Sequence, residues 1–140
     1  MSELQDLTGK MMLDAVDFDT QEFELWARSE DMERCSVCRF RLNGTIYVAV
    51  EDPSDGYRSS LRELVVQPDA TMHNVFPPIE VVGVYRNRKD FGSSDILELI
   101  DTANGKTVLE VGTENTGDYY PSFVASFHPE NMNANSEVKP

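Results

Sequence analysis

Cysteine is scarce in this sequence, and long apolar runs are missing. Only two of the 140 residues are cysteine, which is too few for the disulfide framework of a secreted domain. No stretch approaches the ~18 or more apolar residues of a membrane-spanning helix, and the N-terminus lacks a signal-peptide pattern. We therefore expect a cytoplasmic protein with one globular domain over residues 1–128 and a disordered tail over 129–140.

Basic residues are also few, since 12 Lys and Arg stand against 25 Asp and Glu, for a net charge of −13. Residues 1–33 hold ten acids against Lys10 and Arg28, which is a net charge of −8. Such a field repels phosphate backbones and favours basic partners, so direct nucleic-acid binding is not expected. A solvated face that only maintains solubility, and adaptation to salt, explain the same charge.

Motifs of catalysis and cofactor binding are absent as well. The sequence has no G-x-x-x-x-G-K-[ST] and no G-x-G-x-x-G. Ser122, His128 and Asp118 are near one another in sequence, but no nucleophile-elbow signature surrounds the serine. The acidic stretch 51–55 lacks the spacing of an EF-hand loop and is typical of a turn. We therefore predict a non-enzyme without a cofactor.

Cys35 and Cys38 have the C-x-x-C spacing of a dithiol or of half a zinc site. Only His73 and His128 remain as nitrogen ligands, and each is distant in sequence. If this segment is a strand, two residues three positions apart lie on opposite faces, which opposes both interpretations. Structural thiols are the favoured prediction, and no metal site is expected.

Turn residues define most of the predicted strands. Asn43-Gly44 is typical of a type I′ hairpin turn, and Asn104-Gly105 indicates a second hairpin. Alternating or β-branched runs around these turns and elsewhere predict about six or seven strands, taken from the stretches 11–18, 22–28, 36–42, 45–51, 79–85, 96–101, 106–111 and 122–127. A helix over 20–33 is the alternative to a strand at 22–28. The last three form a meander.

One segment indicates a helix. Ser60 and Glu63 fit a capping box, and Leu61, Leu64 and Val65 supply one apolar side, which predicts a short helix near 60–66. Residues 67–78 contain three prolines and are expected to be irregular. The predicted class is therefore α+β, with an antiparallel, sheet-dominated domain.

Two short motifs stand at the ends of the predicted strands. Leu7-Thr8-Gly9-Lys10 precedes the first strand, and Gly117, Tyr119, Tyr120 and Ser122, with Asp118 and Pro121 added, lead into the last. Together with the order of the pieces between them, these motifs resemble a family of short uncharacterised proteins of tailed bacteriophages, whose members open on a Leu-x-Gly-Lys strand and close on a Gly-Tyr-Tyr-Ser strand. The chain departs from the family where paired cysteines usually follow the central hairpin, since residues 53–56 read Pro-Ser-Asp-Gly. The resemblance implies a phage origin and a fold more than an activity.

The acids and aromatics together suggest a contact surface. An exposed tyrosine beside acids has the composition of an interface centre, although two adjacent tyrosines also suit the end of a sheet. The candidate interaction surface comprises Asp14, Asp17, Asp19, Glu22, Glu24, Trp26, Asp118, Tyr119 and Tyr120.

The favoured function is binding to a host or phage protein through this surface, in its sharpest form inhibition of a nucleic-acid-handling or defence machine by occupation of a basic groove. A self-assembling homo-oligomeric module and a metal- or small-molecule-binding domain are the alternatives.

Overall fold

The computed structural model describes residues 3–24, 32–52, 59–88, 93–115 and 121–128. A three-residue 3-10 turn, Leu4–Asp6, precedes eight strands. The strands are β1 (Gly9–Glu24), β2 (Met32–Leu42), β3 (Thr45–Asp52), β4 (Ser60–Val66), β5 (Val75–Arg88), β6 (Ser93–Asp101), β7 (Thr107–Asn115) and β8 (Ser122–Phe127). They form one antiparallel sheet in the order β4-β3-β2-β1-β5-β6-β7-β8.

The sheet consists of two four-stranded meanders joined where β1 pairs with β5. The two edge strands are nevertheless close, because β4 contacts both β7 and β8. At this seam the backbone N–H of Leu61 donates a hydrogen bond of 2.7 Å to the Thr113 hydroxyl. The sheet therefore curls around one main core.

The predicted helix at 60–66 is wrong, and the α+β class is wrong with it. Ser60–Val66 is strand β4, paired along β3. The register shifts between Val50 and Glu51, so that Leu61 and Leu64, three positions apart, both contact the main core. A β-bulge of this kind produces the apolar spacing that a helix also has. Among the described residues, the 3-10 turn is the only helical element.

The hairpin at Asn43-Gly44 is confirmed, because both residues have positive φ angles of 52° and 83° and Leu42 pairs with Thr45. The second hairpin is also present, but its turn is wider than a two-residue turn. Its strands end at Asp101 and resume at Thr107, and Gly105 has a φ of 73°. The buried carboxylate of Asp101 accepts a 2.8 Å hydrogen bond from the Ala103 N–H and stabilises this longer turn.

The expectation of irregular structure over 67–78 is wrong for its last four residues, because β5 begins at Val75. Pro77 and Pro78 lie between the pairs that Val75 and Ile79 make with β1, opposite a register shift. Pairing with β6 begins only at Val81. The prolines therefore occupy positions where the ladder is interrupted and no N–H is needed.

Apolar residues are buried on both faces of the first meander. Cys38, Phe40 and Leu42 belong to the main core, whereas Cys35 and Val37 belong to a second cluster with Val48 and Val50. The prediction that the two cysteines lie on opposite faces is confirmed. Neither forms a disulfide, and both are fully buried, with 0% of their surface exposed.

The 3-10 turn closes one side of the main core. Leu4 and Leu7, which are 4% and 5% exposed, insert into the main core cluster. Gly83 permits this approach, since a Cβ at that position would lie 2.0 Å from the carbonyl oxygen of Leu7. A side chain at position 83 would therefore displace the turn.

Candidate functional site: an apolar groove beside strand β1

A β-bulge at Asp14 determines which residues of β1 face the core. The register with both neighbouring strands shifts between Leu13 and Ala15. Asp14 forms a two-pronged ion pair with Arg41, at 2.7 and 3.1 Å, and this hydrogen bonding raises the pKa of the guanidinium. Because the bulge reverses the alternation, Leu13 and Val16 both belong to the main core.

Asp17, a member of the predicted acidic surface, is only 4% exposed. Its carboxylate accepts hydrogen bonds from the backbone N–H groups of His73, at 2.6 Å, and Asn74, at 2.8 Å. These residues end the connection 67–74 between β4 and β5. The carboxylate of Asp17 therefore anchors this connection to β1, because hydrogen bonds from backbone N–H groups to a charged carboxylate are stronger than bonds between neutral groups.

The anchored connection forms one wall of an apolar groove of about 450 Å³. This groove, called the Phe18 groove below, is lined by Val16, Phe18, His73, Asn74, Val75, Phe76 and Phe127. The rings of Phe76 and Phe127 stack with their centroids 5.6 Å apart and form its floor with the core. Phe18 is 48% exposed and Val75 is 56% exposed. Two large apolar side chains thus lie at the surface of a concave site.

Cys38 lies in the main core next to Phe18, because it is the cross-strand partner of Phe18 on β2. Burial, and to a lesser extent the charge of Asp17, raises the pKa of Cys38 to about 12. The thiol is therefore protonated and unreactive at neutral pH. The prediction of a structural role suits this environment.

Beyond the groove, one edge of β1 is open. The last β1–β5 pair is Ala15 with Val75, followed by a 3.3 Å hydrogen bond from the Val16 N–H to the Asn74 carbonyl. Pairing with β2, on the other side, continues without a further shift to Glu24. Within the described part of the chain, β1 from Phe18 to Glu24 therefore has a strand neighbour on one side only.

Asp19 lies at this open edge with 62% of its side chain exposed. One carboxylate oxygen accepts a 2.7 Å hydrogen bond from the backbone N–H of Thr20, and the other is 3.7 Å from Arg39. The Thr20 N–H is thereby covered by a neighbouring side chain rather than by a strand. Charged residues on edge strands commonly have this protective role.

A second depression, of about 260 Å³, lies where the 3-10 turn meets β4, β5 and β6, and it is polar. The Tyr85 hydroxyl donates a short hydrogen bond to Asp95 and accepts one of 3.0 Å from Asn87. The bond to Asp95, together with burial, raises the pKa of Tyr85. Arg62 lies 3.9 Å from Glu63 in the same depression. Tyr85, Asp95 and Arg62 thus each have a partner within the chain.

The structure brings together only part of the predicted interaction surface. Asp14, Asp17 and Asp19 share the stretch of β1 beside the groove, but Asp14 is engaged with Arg41 and Asp17 is buried. Glu22 and Glu24 belong to the same strand by their backbone. The remaining predicted residues, Trp26, Asp118, Tyr119 and Tyr120, lie outside the described residues.

The unfavoured chemistries gain no geometric support. Ser122 and His128 lie six residues apart along extended β8, which separates them by about 20 Å. In the described ranges, no group of three or more His, Cys, Asp or Glu side chains is placed to hold a metal ion. The same ranges contain no helix that is long and apolar enough to span a membrane.

Sequence reasoning did not identify Phe18, Val75, Phe76 or Phe127 as site residues. Phe18 and Phe127 belong to apolar runs that are typical of buried strands, and Val75 and Phe76 lie in the proline-containing stretch 67–78, which the sequence predicts to be irregular. Only the exposure of Phe18 and Val75, which depends on the tertiary fold, distinguishes them from core residues.

Comparison with known proteins reveals no matching family model, no similar curated protein and no similar solved structure. The resemblance to tailed-bacteriophage proteins therefore stays a prediction.

Proposed function

We propose that this chain is a non-enzymatic binding protein that holds a basic protein partner in the Phe18 groove. The observation that carries this proposal is the exposure of Phe18, at 48%, and Val75, at 56%, around a concave apolar site on a chain of net charge −13. An apolar centre with charged surroundings is the usual composition of a protein-binding surface.

Charge supports a basic partner for two reasons. The exposed Asp19 lies beside the groove, and ten of the 25 acids are concentrated in residues 1–33, which include β1. A negative field attracts a positively charged surface over several ångströms and increases the rate of encounter. The apolar groove then supplies binding that salt does not screen.

In its specific form, the proposal is that the chain inhibits a host or phage machine that handles nucleic acids, a defence machine included. Such machines have basic grooves for phosphates, and an acidic protein can occupy one of them. The phage origin implied by the resemblance, and a location in the host cytoplasm, belong to this proposal.

The test is capture of bacterial proteins by the tagged chain at low and high salt, with Phe18→Ser compared against Met12→Ser. Met12 is a matched control because it is 41% exposed but does not line the groove. We expect a basic protein that is retained by the wild type and by Met12→Ser, lost with Phe18→Ser, and weakened by salt. If the same proteins were retained by the wild type and by Phe18→Ser, and at low and high salt alike, the proposal would be refuted.

A small-molecule-binding function is the second candidate, and the polar depression at Tyr85 and Asp95 favours it. A panel of metabolites and nucleotides would be screened by thermal shift on the wild type and on Tyr85→Phe. A stabilisation that Tyr85→Phe removes would support this candidate, and the absence of any stabilising compound would count against it.

A further inference from the structure

The open edge of β1 indicates how a partner binds, and this inference rests on the proposed function. Strand β5 pairs with β1 only as far as Ala15. The residues that precede β5, His73 and Asn74, are instead bonded to the buried carboxylate of Asp17. The edge of β1 that extends beyond the end of β5 is adjacent to the Phe18 groove. An unpaired strand edge and an apolar pocket thus lie side by side.

The direction of the backbone groups follows from the hydrogen bonds near this point. The Val16 N–H points towards β5, since it donates to the Asn74 carbonyl. Backbone groups alternate along a strand, so those of Phe18, Thr20, Glu22 and Glu24 point to the same open edge. The Thr20 N–H agrees with this assignment, because its acceptor is the Asp19 side chain rather than a strand.

The side chains of β1 that line the groove lie on the face of the strand that is directed to the main core. Val16 belongs to the main core and Phe18 lines the groove, so a residue paired with Phe18 from the open side would direct its own side chain into the groove. Strand addition of this type derives affinity from main-chain hydrogen bonds and specificity from a pocket for a side chain.

We propose that an extended segment of the partner adds to β1 over Phe18–Glu24 as an antiparallel strand. It continues the line of β5, places one large apolar side chain in the Phe18 groove, and carries Lys or Arg at positions opposite Asp19, Glu22 and Glu24. Asp19 releases the Thr20 N–H to the incoming strand and gains a basic partner instead.

Charge selects this occupant over a second copy of the same chain. Two copies paired edge to edge through this stretch would bring acidic segments together, and each copy has a net charge of −13. Like charges that face each other across an antiparallel pair are destabilising. A basic, extended peptide has the opposite charge and the same backbone groups.

The probe is the synthetic peptide acetyl-Lys-Thr-Lys-Thr-Thr-Lys-Phe-amide, titrated against the full chain by calorimetry. In the proposed register its phenylalanine pairs with Phe18, and its first and second lysines pair with Glu24 and Glu22. Residues of the peptide that pair with Phe18, Thr20, Glu22 and Glu24 direct their N–H groups to β1, whereas the alternate residues direct theirs to solvent.

Two N-methylated isomers of this peptide separate backbone pairing from side-chain contact. Methylation of the third and fifth residues removes two N–H donors aimed at β1, and we expect affinity to fall about tenfold or more. Methylation of the fourth and sixth residues leaves the bonded edge intact, and we expect the affinity to change less than about twofold. Equal effects of the two isomers would overturn strand addition.

Amide hydrogen exchange of the protein gives an independent readout. Peptide binding should protect the amides of Phe18, Thr20 and Glu22, while those of Asp17, Asp19 and Gln21, which face β2, change little. Protection of neither set, or a peptide-free dimer that protects the same amides, would overturn the proposal.

The outcomes for strand addition and for the proposed function are distinguishable. If Phe18→Ser weakens the peptide while the N-methyl isomers behave alike, the groove binds a side chain and only strand addition fails. If the peptide with glutamate in place of lysine binds equally well, and Phe18→Ser has no effect, the proposed function fails too.

Discussion

Two depressions reach the main core, and they differ in what fills them. The depression beside the 3-10 turn is covered by Leu4, and its polar groups pair within the chain, as Tyr85 does with Asp95 and Asn87. The groove beside β1 has no such cover within the described residues, and Phe18 and Val75 are exposed there. Polar side chains of the first depression are bonded to one another, whereas the second leaves apolar surface exposed.

Under the proposed function, this difference separates the side chains that stabilise the fold from those that bind a partner. Side chains at the closed depression are buried or bonded, so their loss should cost folding free energy. Side chains at the open groove retain much of their exposure, so their loss should affect binding and leave folding nearly unchanged.

The largest expected effect is the loss of the cover itself. Leu4→Ala removes a side chain that lines the closed depression and is 4% exposed in the main core, and we expect the free energy of unfolding to fall by about 2–5 kcal/mol. Val75→Ala, at a position that is 56% exposed, is the matched control and should cost far less. Urea unfolding measures both, and equal losses would contradict the contrast between the depressions.

Alkaline pH should destabilise the protein through Cys38, the buried cross-strand partner of Phe18. Its pKa is about 12 in the folded chain against 9.0 as the ordinary value, so its contribution to stability is complete below pH 9 and is lost as pH rises towards 12. At pH 11 the loss is about 2–3 kcal/mol. The free energy of unfolding of the wild type and of Cys38→Ala, measured over pH 8–11, isolates the contribution of the thiol. If the two proteins lost stability in parallel, the Cys38 thiol would not be the cause.

Loss of the anchor of the groove wall should have an intermediate effect. Asp17→Asn keeps the shape but weakens the charge-assisted bonds to the N–H groups of His73 and Asn74, and we expect a cost of about 1–3 kcal/mol. Asp19→Asn is the control, since its side chain is 62% exposed. Hydrogen exchange should show faster exchange at His73 and Asn74 in Asp17→Asn alone.

A smaller effect is expected at the polar depression. Tyr85→Phe removes the hydroxyl that donates to Asp95, and we expect about 1 kcal/mol of destabilisation by thermal unfolding. Tyr47→Phe, whose ring stacks on Phe40 in the main core, is the control for removal of a hydroxyl. If Tyr85→Phe cost as much in an Asp95→Asn background as in the wild type, the hydrogen bond would not be the cause of the loss.

The smallest effect on folding is expected at Phe18. Because this side chain is 48% exposed, Phe18→Ser should lower the free energy of unfolding by about 1 kcal/mol at most. Its effect on the captured partner should be large by comparison. A loss of several kcal/mol in urea unfolding would instead make Phe18 a core residue.

Local signals predicted much of the sheet. Asn43-Gly44 fixes a tight turn through positive φ angles, and the odd spacing of Cys35 and Cys38 fixes their opposite faces. The same periodicity failed at 60–66, because a bulge in the β3–β4 ladder puts Leu61 and Leu64 on one face. A register shift depends on the partner strand, and the sequence of one segment does not reveal it.

The candidate site was less predictable for the same reason. The partners of Asp17 are His73 and Asn74, 56 and 57 residues later in the chain. Phe18 and Phe127 line the same groove only because β1 and β8, which are distant in sequence, both reach it. Composition directed attention to the acidic first quarter, but it did not separate an anchoring carboxylate from an exposed one.

The placement of the two cysteines on opposite faces also provides the protein with its own chemical reporters. A thiol reagent modifies a buried cysteine only when its surroundings open, so labelling rates measure local opening. Cys38 reports on the main core beneath the groove, and Cys35 reports on the second cluster. With Cys35→Ala and Cys38→Ala as single-thiol variants, the opening of each face of the sheet can be timed without attaching any foreign label.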